Sequence, residues 1–170
     1  FNDVIHGSIK LSKIAVSIID TFEFQRLRNI KQLSTVSYVF PSAIHTRFEH
    51  SIGVAHLAKK LVLFLRNNQP ELKITNNDIL RVEIAGLCHD LGHGPFSHTL
   101  DNEFLERNNK TQYYKIKCHE MRSIEILNKI CNENKINLNK DDIKHISWMI
   151  NPEYYHLDIE KTNKYFLYSI

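Results

Sequence analysis

Apolar residues return at three- and four-residue steps through most of the chain, and sustained strict alternation is rare. The pattern therefore predicts helices joined by short polar connections. The clearest run is Ile79, Leu80, Ile84, Leu87 and Leu91, capped upstream by Thr75 to Asp78 and stopped by Gly92, Gly94 and Pro95. Before it, Thr46 and Glu49 have capping-box spacing and open a helix from Arg47 to about Arg66, ended by Asn67-Asn68-Gln69-Pro70. Its expected apolar stripe is Val54, Leu57, Leu61, Phe64 and Leu65, and counting back by helical steps places His50 on it.

Shorter segments follow the same logic. Helical spacing begins near Ile14 to Ile19, and Asp20 with Glu23 gives a second box, with Phe22, Leu27 and Ile30 on one face and Gln25, Arg26, Arg28 and Lys31 on the other. Ser34 to Ala43 reads as a loop. Helix resumes after His98 through Asp101, Phe104 and Leu105, and a polar loop follows at Asn108 to Thr111. Further helices are predicted from His119 to Cys131 and from Asn139 with Asp142 to Pro152, and Thr162 to Ile170 begins another. Phe1 to Ser8 turns at Gly7 and is expected to form a short strand or hairpin with Ile9 to Leu11. The expected class is all-α, a helix bundle with a short N-terminal hairpin.

At 170 residues the chain fits one domain, residues 1–170. Its net charge of +3, with acids and bases mixed throughout, does not by itself indicate a nucleic-acid groove, whereas anionic small molecules remain plausible partners. Three cysteines without C-x-x-C spacing indicate neither a disulfide framework nor a zinc ribbon. A reducing intracellular setting, cytoplasm or nucleus, is the expectation. No apolar run approaches the roughly 18 to 20 residues of a membrane span. A start at Phe1 without methionine suggests a trimmed piece of something longer.

The chemistry concentrates in Ala85 to His98, where three histidines and a carboxylate stand within ten residues. His89-Asp90 falls on the last turn of a buried helix, and imidazole beside a carboxylate oxygen suits a borderline divalent metal. A zinc-protease motif is excluded: Asp90 follows the first histidine instead of Glu, and Gly92 breaks the helix between His89 and His93. His50 is either a core residue bonded to a carbonyl or a ligand facing inward; a second helix ending in His-Asp favours the ligand.

Arg47-Phe48-Glu49-His50, then His89-Asp90 with His93 and His98, resemble the HD-domain metal-dependent phosphohydrolases. Longer runs, Phe24-Gln25-Arg26-Leu27-Arg28, Ile30-Lys31-Gln32-Leu33 and Gly86 to His98 among them, are similar to the catalytic domain of the SAM-and-HD-domain deoxynucleoside triphosphate triphosphohydrolases. The likeness is dense from Phe1 to about Asp101. It implies an enzyme that cleaves deoxynucleoside triphosphates to deoxynucleoside and triphosphate. It also implies a divalent ion (iron, zinc, manganese or magnesium) held by His50, His89 and Asp90. His119 would be the general acid with Asp101 keeping its imidazole charged, His93 and His98 would hold phosphate oxygens, and Arg47 would neutralise phosphate charge. Gln32 and Leu33 would receive the sugar. Asn2, Asp20, Gln25 and Arg28 would form a regulatory guanine-nucleotide site at the interface of a homo-oligomer. An HD nucleotidase or phosphodiesterase of other substrate range, or a non-catalytic nucleotide- or single-strand-binding module, is the rival reading.

The chain departs from that pattern in three places. The family's fourth metal ligand, an aspartate followed four residues later by tyrosine, lies downstream of the segment matched by Lys164 to Tyr168, so truncation ahead of it is expected; Asp141, Asp142 and Asp158 precede that segment. Ser34-Thr35-Val36 stands where the family has glycines beside the sugar. Cys118 replaces a helix-capping Thr before His119, a loss on the order of 1 kcal/mol.

Overall fold

A computed structural model describes residues 1–105, 118–155 and 164–170. The expected polar loop at Asn108 to Thr111, Asp158, and the Thr162 start of the last helix lie outside the described residues. The opening is a two-stranded antiparallel hairpin, β1 (Asn2–Asp3) against β2 (Gly7–Ser8), with Asn2 opposite Ser8. The turn is Val4 to His6 and the partner strand ends before Ile9. The hairpin is therefore tighter than the sequence pattern suggests.

Among the described residues six α-helices follow: α1 (Lys13–Ile19), α2 (Phe22–Gln25), α3 (Arg47–Asn68), α4 (Asn76–Cys88), α5 (His119–Glu133) and α6 (Lys140–Ile150). Three of them start where a capping box is written into the sequence, at Thr46/Glu49, Thr75/Asp78 and Asn139/Asp142, each satisfying otherwise orphaned amide donors. The box expected at Asp20 is displaced by one residue. Thr21 caps α2, accepting from the Phe24 amide, and Asp20 closes α1. That helix is one turn long and tightens into a 3₁₀ turn over Arg26–Asn29. Its core residues are Phe24, Leu27 and Ile30, while Phe22 points to solvent. After His98 the chain makes a wide π turn, Leu100–Leu105, and Tyr165–Ser169 is 3₁₀.

The central unit is the antiparallel pair of α3 and α4. Arg66 reaches Asn76 at one end, 2.8 Å apart, and the His50 and His89 rings meet at the other, 5.3 Å between centroids. Close approach is set by Gly86, where an added Cβ would stand 3.3 Å from the Ala55 Cα. This contact fixes which side of α3 is buried. Phe48, Ile52, Ala55 and Val62 face inward, whereas Leu57, Leu61 and Phe64 of the expected stripe are exposed. Both sides of the helix are apolar enough to satisfy the periodicity, so small-residue packing, not the stripe, decides. One core gathers α1, α2, the first half of α3, α4 and α5. A second joins Val62, Ile79 and Val82 to Trp148, Leu167 and Tyr168.

Candidate active site

Asp90 follows the end of α4, is 4% exposed, and has a different partner set at each oxygen. Oδ2 lies 3.2 Å from His50 Nε2, at the start of α3, and 3.4 Å from His89 Nε2. His89 Nδ1 is 2.7 Å from the Gly86 carbonyl, which fixes the ring and leaves Nε2 turned to the carboxylate. The same oxygen takes a hydrogen bond from the buried Arg47 guanidinium, whose Nε donates to Ser97 Oγ at 3.0 Å. Ser97 Oγ in turn donates to the Lys31 carbonyl. Burial alone would raise the Asp90 carboxyl, but hydrogen bonds from His50, His89 and His93 outweigh it and hold the group well below the usual carboxylate range. For His89 burial works against the charged form, and the Asp90 bond overcomes it, so its pKa is raised.

Asp90 Oδ1 faces the other way, 3.4 Å from His93 Nε2 and 3.9 Å from His119 Nε2. Those two rings stack, 3.9 Å between centroids and 23° apart in plane, with both Nδ1 atoms 3.7 Å from Asp101 Oδ2. His98 stands edge-on to both. Burial, then the neighbouring His93, pushes the His119 pKa down to about 4, so in the ligand-free protein this imidazole is neutral at pH 7. Asp101 Oδ1 takes a hydrogen bond from Arg122, and its Oδ2 is the oxygen turned to His119.

Two nitrogens and one oxygen, from His50, His89 and Asp90, lie within 4.8 Å of one another, a donor set that fits a borderline divalent cation. A scan against family models matches residues 47–162 to the HD domain, spanning all of these groups from His50 to His119. The chain belongs to the HD-domain family. It is 54% identical over 81% of its length to the mouse deoxynucleoside triphosphate triphosphohydrolase SAMHD1, covering 20% of that protein. The bovine protein of the same name is 61% identical over 61% of the chain, covering 18% of the relative. The SAMHD1 homolog of Dictyostelium discoideum is 47% identical over 88% of the chain, covering 28% of the relative. The chain thus spans about a fifth to just over a quarter of the length of these curated relatives.

In this HD domain several groups invisible to periodicity hold the site together. An added Cβ at Gly92 would meet the His119 carbonyl at 2.2 Å, so only glycine lets α5 pack on the HD loop. Ser123, one turn beyond His119, accepts from the Gly92 amide and donates to the His89 carbonyl, each at 2.7 Å. Arg122 donates to the Gly92 carbonyl and Arg26 to the carbonyls of Leu91 and His93. The pattern assigns Arg26 to a solvated face; it is instead a clamp on the loop. Only the positions of Arg122 and Ser123 three and four residues after His119 hinted at a shared face.

The remaining candidates are more scattered. The Gln32 backbone N–H donates to the His45 carbonyl, and Leu33 is half-exposed, on the segment whose Lys31 carbonyl meets Ser97. Ser34 adopts a left-handed backbone, φ +52°, a conformation that favours glycine. Of the proposed regulatory set, Gln25 Oε1 accepts from Arg28 Nε at 2.8 Å, and the Arg28 guanidinium sits 3.5 Å above the Phe48 ring. Asn2 pairs in the hairpin next to Phe1, which touches the same Phe48 ring. Asp20 is exposed at the end of α1. All three cysteines are free, and among the described residues no helix is long and apolar enough to cross a membrane.

Proposed function

We propose that this HD domain serves a metal-dependent hydrolase that converts deoxynucleoside triphosphates to deoxynucleoside and inorganic triphosphate. The observation that carries the reading is the two-sided Asp90: His50 and His89 converge on one oxygen, and His93 and His119 on the other. Likeness to proteins named as deoxynucleoside triphosphate triphosphohydrolases supports the substrate class. His50, His89 and Asp90 would hold the cation, which supplies Lewis-acid polarisation of a phosphoryl oxygen and acidifies water.

The chain's own residues divide the remaining work. Arg47 keeps Nη2 buried and without a hydrogen-bond partner among the described residues, a donor left for a phosphate oxygen. His93 and His98 flank His119 and take further phosphate oxygens. The negative charge of a bound triphosphate raises the His119 pKa, so the protonated imidazole gives its proton to the departing 5′-oxygen as water adds at the α-phosphorus. Gln32 and Leu33 receive the sugar, and Asn2, Asp20, Gln25 and Arg28 take a regulatory guanine nucleotide at an interface between copies. Three free thiols suit a reducing compartment.

Metal analysis and product analysis test the reading. A cation retained through gel filtration and lost in His50→Ala is expected. Turnover of a deoxynucleoside triphosphate by protein carrying this domain releases inorganic triphosphate. Release of monophosphate or pyrophosphate instead overturns the substrate chemistry, and uptake indifferent to His50→Ala overturns the metal assignment.

A further inference from the structure

The Arg47 guanidinium is gripped at two of its three nitrogens. Nη1 donates to Asp90 Oδ2, Nε donates to Ser97 Oγ at 3.0 Å, and the buried Nη2 has no hydrogen-bond partner among the described residues. Because the group is planar, fixing two nitrogens fixes the direction of the third. Ser97 therefore separates an aimed fork from one that can swing about Asp90. It is 2% exposed and reaches Arg47 from the loop after α4, 50 residues away in sequence. A hydroxyl has a single proton, and this one goes to the Lys31 carbonyl at 3.1 Å, which turns the oxygen's lone pairs to Arg47. Lys31 is bridged to Thr46, with the Arg47 backbone N–H donating to the Ile30 carbonyl at 2.8 Å. Backbone and side chain of Arg47 are thus both tied to residues 30–32, the side chain by way of Ser97.

The loop is bent to suit this contact. Phe96 and Ser97 both take left-handed conformations, φ +65° and +50°, although neither is glycine. Side-chain-bearing residues in that region are uncommon and persist where their surroundings hold them to a task. We infer that Ser97 is a positioning residue that aims Arg47: by accepting from Nε it directs Nη2 into the site and sets the spacing between this cation and the segment of Gln32 and Leu33. The inference rests on the proposed reading of Arg47 as a group that meets phosphate, and it names the residue on which that contact depends.

The test is a double-mutant cycle on protein carrying this domain, read by calorimetric affinity for inorganic triphosphate and by kcat/KM for a deoxynucleoside triphosphate. Ser97→Gly suits the left-handed backbone, so a native circular dichroism spectrum is expected; Ser97→Ala, which keeps Cβ, is a second variant without the hydroxyl. A hydrogen bond to a charged group is worth a factor of roughly 10 to 100, and each variant is expected to weaken both readouts by that order with triphosphate still the product. Arg47→Lys keeps the charge beside Asp90 but lacks the fork. It is expected to weaken both at least as much, and adding Ser97→Gly to it changes neither further, since a residue that acts through the fork has nothing left to aim. The aiming role is overturned if Ser97→Gly and Ser97→Ala bind triphosphate as the unaltered protein does. It is also overturned if the losses in Arg47→Lys and Ser97→Gly multiply in the double variant, the mark of a residue that only supports the loop. Triphosphate binding indifferent to Arg47→Lys overturns the assignment of Nη2 to phosphate and the aiming role with it.

Discussion

Arg47 and the imidazoles of His50 and His89 converge on one oxygen of Asp90, which makes this residue the controlling feature of the site. Without a cation, the guanidinium supplies the compensating charge for a carboxylate that is almost wholly buried. Removing one partner of a buried ion pair typically costs about 3–5 kcal/mol, because the other is left uncompensated. Arg47→Met keeps most of the stem volume. It should therefore lose on that order in urea denaturation of the metal-stripped protein and regain a large part on adding a divalent ion; a loss that persists undiminished with metal means the two cations do not share Asp90. His119 gives a second residue-level test. With its pKa near 4, the native ring refuses a proton that the unfolded chain takes up from about pH 6.5. Its contribution to stability is thus intact above pH 6.5 and declines as the pH falls toward 4. Imidazole NMR of the metal-free protein should show His119 titrating near 4 and moving upward with inorganic triphosphate bound; titration near 6.5 without ligand contradicts the burial argument. The site histidines and Asp90 were legible from residue type and spacing. Arg26, Ser97, Arg122 and Ser123 were not, because they act on backbone groups or side chains up to 67 positions away in sequence.

Helix α3 shows how far periodicity reaches and where it stops. Its start was readable from Thr46 and Glu49, since capping depends on residues three apart. Its buried face was not, because Val54, Leu57 and Leu61 compete with Phe48, Ile52 and Ala55 as plausible stripes, and only the approach of Gly86 on α4 settles the matter. Ile52→Ala should therefore cost about 2–5 kcal/mol in chemical denaturation, as core truncations do. Leu61→Lys should stay within about 0.5 kcal/mol, as surface changes do. The reverse order would show the helix rotated toward the stripe that the sequence favours. At α5 the cap is missing: Cys118 occupies the N-cap without a side-chain hydrogen bond. Cys118→Thr should add about 1 kcal/mol and, for a domain of this size, raise the melting temperature by roughly 2–4 °C.

At the scale of the molecule, the site lies where the start of α3 meets the end of α4, so both helices and the loop after Asp90 must be in place before the ligands converge. A bundle of helices with short connections was legible from the periodicity. The arrival of α5 on Gly92 was not, since nothing local to either segment records it. On the proposed reading, this architecture links cation binding to global stability. A cation that binds only the folded chain adds about 2.7 kcal/mol at 100 times its dissociation constant, equivalent to roughly 5–10 °C in melting temperature here. Manganese(II) should raise the melting temperature of the stripped protein by that order, and His50→Ala, at a partly exposed position, should remove the rise while leaving the metal-free melt nearly unchanged. The rise also has a defined pH dependence. Ligation requires neutral imidazoles, and the proton on His89 is held more firmly than usual by Asp90, so the cation must displace it even near neutrality. The stabilisation should therefore shrink as the pH falls from 8 to 6, in step with proton release measured on binding. A shift that is independent of pH, or that survives His50→Ala, places the cation somewhere other than Asp90.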